Sequence, residues 1–191
     1  MEHELEFFPD GTPVDNWFYD IAAPELSELG KQYPLTAYGI LPDDQLHTKE
    51  IQSVIDLAAK EGGGVLVVPA GVYHTGALHF KQGVNLYVAQ GGSLMGSDDI
   101  ADYDLCETRM EGQNCLYFSA LINADGVDGF TISGPGTIDG NGLRSWRAFW
   151  MRRRWNPKCT NKDEQRPRLV CISNSKNVTF SNITLQNSHY W

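Results

Sequence analysis

Between Leu143 and Pro157 the chain reads LRSWRAFWMRRRWNP, in which Arg144, Arg147, Arg152, Arg153 and Arg154 are interleaved with Trp146, Phe149, Trp150 and Trp155. A guanidinium forms paired, charge-assisted hydrogen bonds with carboxylate or phosphate, and an indole offers a wide, rigid apolar face. Together they suit an anionic ligand that also has flat apolar surfaces. The chain as a whole carries a formal charge of -9 over 191 residues. The cationic patch is therefore local, and local potential rather than net charge steers a ligand into a cleft. Arg144, Trp146, Arg147, Trp150, Arg153 and Arg154 are the candidate binding residues.

Blander readings compete with this one. Trp146, Phe149 and Trp150 fall at helical spacing, so the simplest account is a short helix in a long loop, its aromatics packed inward and its arginines in water. Neutralising nearby acidic surface competes with ligand binding for the arginines, and at most two of the five are expected to touch a ligand. Interleaved arginine and aromatics also suit single-stranded nucleic acid. The acidic balance and the lack of a nucleic-acid-binding motif count against that partner.

Other reactive types give little. Cys106, Cys115, Cys159 and Cys171 are separated by 8, 43 and 11 residues, with no paired spacing and no histidine at finger distance, which argues against a zinc site and favours buried free thiols. The histidines show no ligand spacing. GPGTIDG lacks the glycine register of a nucleotide loop, and Asp139, in an Asp-Gly-Asn-Gly run, reads as a turn residue. Asn177 and Asn182 match a glycosylation pattern that corner asparagines also produce. No cofactor or metal is expected.

The elements that must position these residues are mostly strands. One domain is the default at this length, and no apolar run approaches the roughly 20 residues of a membrane span. The start, MEHELEFFPDG, lacks the basic and apolar parts of a secretory signal. TKEIQSVIDLAAKEGGG is an amphipathic helix with Ile51, Val54, Ile55 and Ala58 on one stripe, Thr48 placed to cap it and Gly62 to Gly64 ending it. Beyond it come short strands punctuated by Gly, Asn and Asp: GVLVVPAGVY, ALHF, VNLYVAQGGSLMG, FTISGPGTIDG, LVCISNS and NVTFSNITL. A small residue before alternating apolar positions recurs at Gly83, Gly129 and Asn177, at offsets of 46 and 48 residues. If each offset covers two turns, the period is that of a β-solenoid. Asn177, Asn182 and Asn187 stand where such a coil turns, in the left-handed conformation asparagine tolerates. The early helix would cover the first rung, while the last strand has no such cover, as if the chain were cut short.

These residues carry a resemblance. YGILPDDQLHTKEIQSVIDLAAKEGGGVLVVPAGVYHTGAL, then GGSLMGSDDIADY, ISGPGTIDGNG and RPRLVCISNSKNVTFSNITLQNSHYW, in that order, resemble the N-terminal half of polygalacturonase-like enzymes, glycoside hydrolase family 28. The resemblance implies an all-β fold, a right-handed parallel β-helix with an N-terminal capping helix, truncated at its C-terminal end. It assigns residues 1–37 to a lead-in, including DGTPVDNWFYD, and 38–191 to the first part of the β-helix. It also implies hydrolysis of pectic polysaccharide with inversion, by aspartates and without a metal, in enzymes that are usually secreted or periplasmic.

One departure limits what carries over. The catalytic motifs of the family (N-T-D, D-D, G-H-G and R-I-K) lie beyond the strand ending NSHYW, and Asp98-Asp99, which matches a paired aspartate, lies in the wrong sequence context. His189 stands where proline is common. An inverting glycosidase needs two carboxyl groups roughly 6.5 to 9.5 Å apart, so the catalytic acids are expected beyond Trp191 and the chain alone is expected to be inactive. The expected partner is an acidic polysaccharide such as pectin or polygalacturonate, and the exposed last coil suggests self-association. Two rivals share the scaffold: a non-catalytic solenoid that binds acidic glycan, and a calcium-dependent lyase of the pectate-lyase type.

Overall fold

The computed structural model describes residues 7–12 and 24–190. Residues 13–20 of the DGTPVDNWFYD stretch, and Trp191, lie outside the described residues. The helix α1 (Thr48–Lys60) buries Ile51, Val54, Ile55 and Ala58, the stripe read from the sequence. Its start differs from expectation. His47 takes the cap position without a side-chain bond, and Thr48 is the first helical residue. The Thr48 hydroxyl accepts instead from the Gly76 N–H at 2.6 Å, tying the helix to the first coil.

The strands wind into a parallel β-helix of three sheets. The first sheet runs β1 (Gln32–Pro34), β2 (Gly64–Val68), β5 (Val84–Val88), β10 (Thr131–Ser133) and β13 (Thr179–Ser181). The second holds β3 (Gly71–Thr75), β6 (Gly92–Gly96), β11 (Thr137–Asp139) and β14 (Thr184–Gln186). The third holds β4 (Leu78–Phe80), β9 (Ile122–Asp125) and β12 (Val170–Ser173). Because β1 pairs with β2, the first sheet reaches back into the segment that the resemblance assigns to a lead-in.

Register explains the alternation. Leu66, Leu86, Ile132 and Phe180 stack through the first sheet, and Tyr73, Leu94, Ile138 and Leu185 through the second. Each ladder is buried until its last member, and Phe180 and Leu185 are 44% and 42% exposed. Under the first rung α1 fills the same role, packing its stripe on Leu66, Val68, Tyr73 and Leu78. Where coils press together the backbone needs room: a Cβ on Gly64, at φ +142°, would lie 2.2 Å from the Lys31 carbonyl oxygen.

The repeat is not the one the offsets suggest. Leu86, Ile132 and Phe180 are direct neighbours, so 46 and 48 residues each make one turn, while the plain first coil, from Gly64 to its partner Val84, takes 20. Two insertions supply the difference. One is an antiparallel hairpin, β7 (Leu105–Met110) and β8 (Gln113–Phe118). The other carries the helix α2 (Leu143–Trp155) and the segment from Asn156 to β12. Asn177, Asn182 and Asn187 occupy left-handed corners at φ 53°, 52° and 52°, as expected.

Candidate functional site

The arginine- and tryptophan-rich stretch is α2, and the turn before it fixes its place. Asp139 accepts from the Asn141 N–H at 2.7 Å through one oxygen, and from Gln186 Nε2 and Asn187 Nδ2 at 2.7 and 2.9 Å through the other. It is thus the turn residue the sequence suggests, and it also clamps two successive coils. Gly142 follows, its N–H donating to the Asn187 carbonyl at 2.8 Å. A Cβ there would sit 2.6 Å from the Ser188 carbonyl oxygen, so only glycine lets the helix start this close to the next coil. Trp146 Nε1 donates to that same carbonyl at 2.7 Å.

Beneath the first turn, Ser145 and His189 are buried together. His189 Nε2 lies 3.1 Å from the Ser97 carbonyl, which can only accept, so Nε2 carries the proton and Nδ1 accepts from the Ser145 hydroxyl at 2.6 Å. Burial lowers the imidazole pKa below its ordinary value, and Tyr103 meets the ring edge-on at 5.7 Å.

Arg166 organises the other side and went unrecognised in the sequence. Its guanidinium donates to the His189 carbonyl (2.9 Å), the Glu164 carbonyl (3.1 Å) and Asn161 Oδ1 (3.0 Å). It lies over Phe149 at 4.0 Å and Tyr190 at 5.2 Å. The available signal was RPR directly before an apolar strand, which places an arginine at the lip of the core.

These groups enclose an open cavity of about 480 Å³, lined by Trp146, Phe149, Trp150, Arg153, Arg166 and Tyr190 among others. Three of the six candidate residues meet here. Arg153 lies 5.7 Å from the ring centroids of both Phe149 and Trp150, its cation beside aromatic faces. The others lie apart. Arg144 is 3.5 and 3.8 Å from the carboxylates of Asp98 and Asp99, and Arg147 lines a separate hollow with Asp98, Asn141 and Leu143. Arg154 is exposed. Arg152, not a candidate, pairs with Glu164 at 2.5 Å. The helix packs inward less than its aromatic content suggests: Phe149 is buried, whereas Trp150 and Trp155 are 59% and 88% exposed.

The paired aspartate Asp98-Asp99 has a structural use, since Asp99 caps a short 3-10 turn by accepting from the Ala101 N–H. Asp43, in the other adjacent pair, accepts from His47 Nε2 at 2.8 Å and the Gln45 N–H. The four cysteines are free, but only Cys159 is buried, because the others sit on the hairpin and the outer side of β12. Among the described residues no cluster of His, Cys, Asp and Glu is arranged to hold a metal ion.

Comparison with known proteins places the chain by family and by fold. Residues 66–191 match the sequence profile of Glycosyl hydrolases family 28. The chain belongs to that family. It is 35% identical over 181 residues to an exo-poly-alpha-D-galacturonosidase of Dickeya chrysanthemi, covering 88% of this chain and 27% of the relative. It is 28% identical to an endo-polygalacturonase of Pectobacterium carotovorum, covering 76% and 38%. The chain thus spans well under half the length of these relatives. Among solved structures, the family 28 exopolygalacturonase of Yersinia enterocolitica superposes with a TM-score of 0.71 at 23% identity, over 84% of this chain and 35% of that one. The polygalacturonase of Erwinia carotovora gives 0.60 at 26%, over 77% and 41%. The parallel β-helix of this glycosyl hydrolase family 28 chain is therefore the fold of its relatives.

Proposed function

We propose that this chain supplies the capped end, the first coils and one substrate-holding wall of an enzyme that hydrolyses galacturonate-containing polysaccharide with inversion. The observation that carries the reading is the cavity in which Arg153 lies beside Phe149 and Trp150 while Trp146 and Tyr190 complete an aromatic lining. A sugar acid needs a cation for its carboxylate and flat faces for its ring, and both stand in one hollow. Membership of a family of glycosyl hydrolases supports the same substrate class.

The reaction needs a proton donor and a water-activating carboxylate on opposite sides of the scissile bond. Asp98, Asp99 and Asp43 are committed to Arg144, a 3-10 cap and His47. In this reading the catalytic acids are not among the 191 residues, and the chain binds without cleaving. Titrating oligogalacturonate should quench tryptophan fluorescence, and incubation with polygalacturonate should release no reducing ends. Measurable turnover by the chain alone overturns the assignment of the acids elsewhere, and absence of binding overturns the substrate class.

A further inference from the structure

The tip of the hairpin carries a residue that its turn does not favour. Met110 pairs with Gln113, so Glu111 and Gly112 are the two turn residues, at φ 48° and 81°. A turn with both centres left-handed favours Asn-Gly, because asparagine tolerates that region better than residues with longer side chains. The other non-glycine residues at positive φ among those described, Asn141, Asn174, Asn177, Asn182 and Asn187, are all asparagine. Glu111 is the exception, and a strained position persists where surrounding contacts hold it.

Those contacts lie on the other insertion. Glu111 Oε1 accepts from Asn161 Nδ2 at 2.6 Å and from the Tyr190 hydroxyl at 3.2 Å. The Asn161 amide first, and then the Tyr190 hydroxyl, lower the Glu111 pKa, which keeps the group an ionised acceptor at neutral pH. Asn161 is committed on its other side as well: Oδ1 accepts from Arg166 at 3.0 Å, and its carbonyl accepts from the Tyr117 hydroxyl of β8 at 3.3 Å. Lys162 donates to Gln113 as a further tie. Asn161 and Tyr190 both line the α2 cavity, whereas Glu111 does not.

We propose that Glu111 is a positioning residue for the α2 cavity: the hairpin tip is a clasp that fixes Asn161 and Tyr190 in the cavity wall while its own turn stays strained. The inference deepens the acidic-polysaccharide reading of that cavity and takes its ligand from it. Charge alone predicts the opposite sign of effect. A carboxylate beside the hollow repels an anionic ligand, so neutralising Glu111 would tighten binding if the residue acted only through its field. A clasp predicts weaker binding, because Asn161 and Tyr190 lose the anchor that orders them before the ligand arrives.

Glu111→Asn and Glu111→Gln separate reach from charge. Both remove the negative charge; glutamine keeps the length that brings an oxygen to Asn161 and Tyr190, and asparagine suits the turn. In the free 191-residue chain, hydrogen exchange of amides 159–166 should be about threefold faster or more for Glu111→Asn and within about twofold of the original for Glu111→Gln. Trigalacturonate affinity, measured by isothermal titration calorimetry, should fall about fivefold for Glu111→Asn and stay within about twofold for Glu111→Gln. The urea midpoint of Glu111→Asn should not fall, since the turn gains what the clasp loses. Unchanged exchange in Glu111→Asn overturns the clasp. Faster exchange with equal or tighter binding overturns its hold on the cavity, equal losses of affinity in the two variants overturn the role of reach, and a midpoint that falls together with affinity makes Glu111 a structural residue only. If the original chain binds no trigalacturonate, the acidic-polysaccharide reading falls, while hydrogen exchange, which needs no ligand, still decides the clasp.

Discussion

The guanidinium carbon of Arg166 lies 4.0 Å from the centroid of the Phe149 ring, and through this contact the helix α2 is joined to the segment that enters β12. Phe149 is 5% exposed and Arg166 8%, so the pair is an interior contact between a cation and an aromatic face. Burial lowers the arginine's pKa, which leaves it charged at any ordinary pH.

Removing this cation should therefore cost stability rather than surface charge. Arg166→Met keeps the hydrophobic stem but orphans the His189 and Glu164 carbonyls and Asn161 Oδ1. A loss of about 3 kcal/mol is expected, the scale of breaking a buried charged network. Arg166→Lys should recover little, because a point charge cannot reach three acceptors in a fork. Urea unfolding monitored by near-ultraviolet circular dichroism measures both; a loss below about 0.5 kcal/mol for Arg166→Met would place the cohesion of α2 elsewhere.

His189 predicts a stability that depends on pH in a known direction. Burial holds its imidazole neutral, against the opposing influence of the Ser97 carbonyl and Asp98 and together with the repulsion from Arg166. Since its folded pKa lies below the ordinary 6.5, this contribution is fully present above that value and is withdrawn as the pH falls below it toward the folded pKa. Urea midpoints taken from pH 8 to pH 5 should fall on acidification, and His189→Gln, less stable at pH 8, should show a flatter profile. Parallel profiles for the two proteins would assign the acid sensitivity to other groups.

Much of the scaffold was readable because burial imposes strict periods. Ile51, Val54, Ile55 and Ala58 announce a one-faced helix, and Val84, Leu86 and Val88 an inward-facing strand. The coil period was not readable, because 46 and 48 residues describe plain coils lengthened by insertions as well as they describe pairs of coils. The hairpin was missed for a local reason. Its two-residue turn uses Glu111 and Gly112 at φ 48° and 81°, and glutamate is not the residue that normally signals a turn with both centres left-handed. The candidate cavity was half legible. Its cations and indoles stand in one stretch of sequence, but Arg166, His189 and Tyr190 reach it only because successive coils stack.

The left-handed corners are testable at Asn182, where φ is 52°. A residue with Cβ pays about 1–2 kcal/mol in that region, asparagine pays less, and glycine essentially none. Asn182→Val should therefore destabilise by about that amount, with Asn182→Gly within a few tenths of a kcal/mol of the original. Chemical denaturation of the three proteins gives the order. Equal stability of the valine variant would mean that the corner relaxes when its occupant changes.

The upper rung makes the last prediction. In β13 and β14, Phe180 and Leu185 continue the buried ladders yet stand 44% and 42% exposed, and each strand is the outermost member of its sheet among the described residues. An apolar, in-register strand with unpaired backbone groups is a template for another chain. The 191-residue chain should therefore self-associate, its mass by static light scattering rising across the micromolar range. Charge on such an edge opposes pairing, so Phe180→Lys combined with Leu185→Lys should shift the same measurement toward the monomer while α1, packed at the far end of the coil, keeps the first rungs folded. A constant monomer mass for the unaltered chain would mean that the twist and short length of β13 and β14 already prevent pairing.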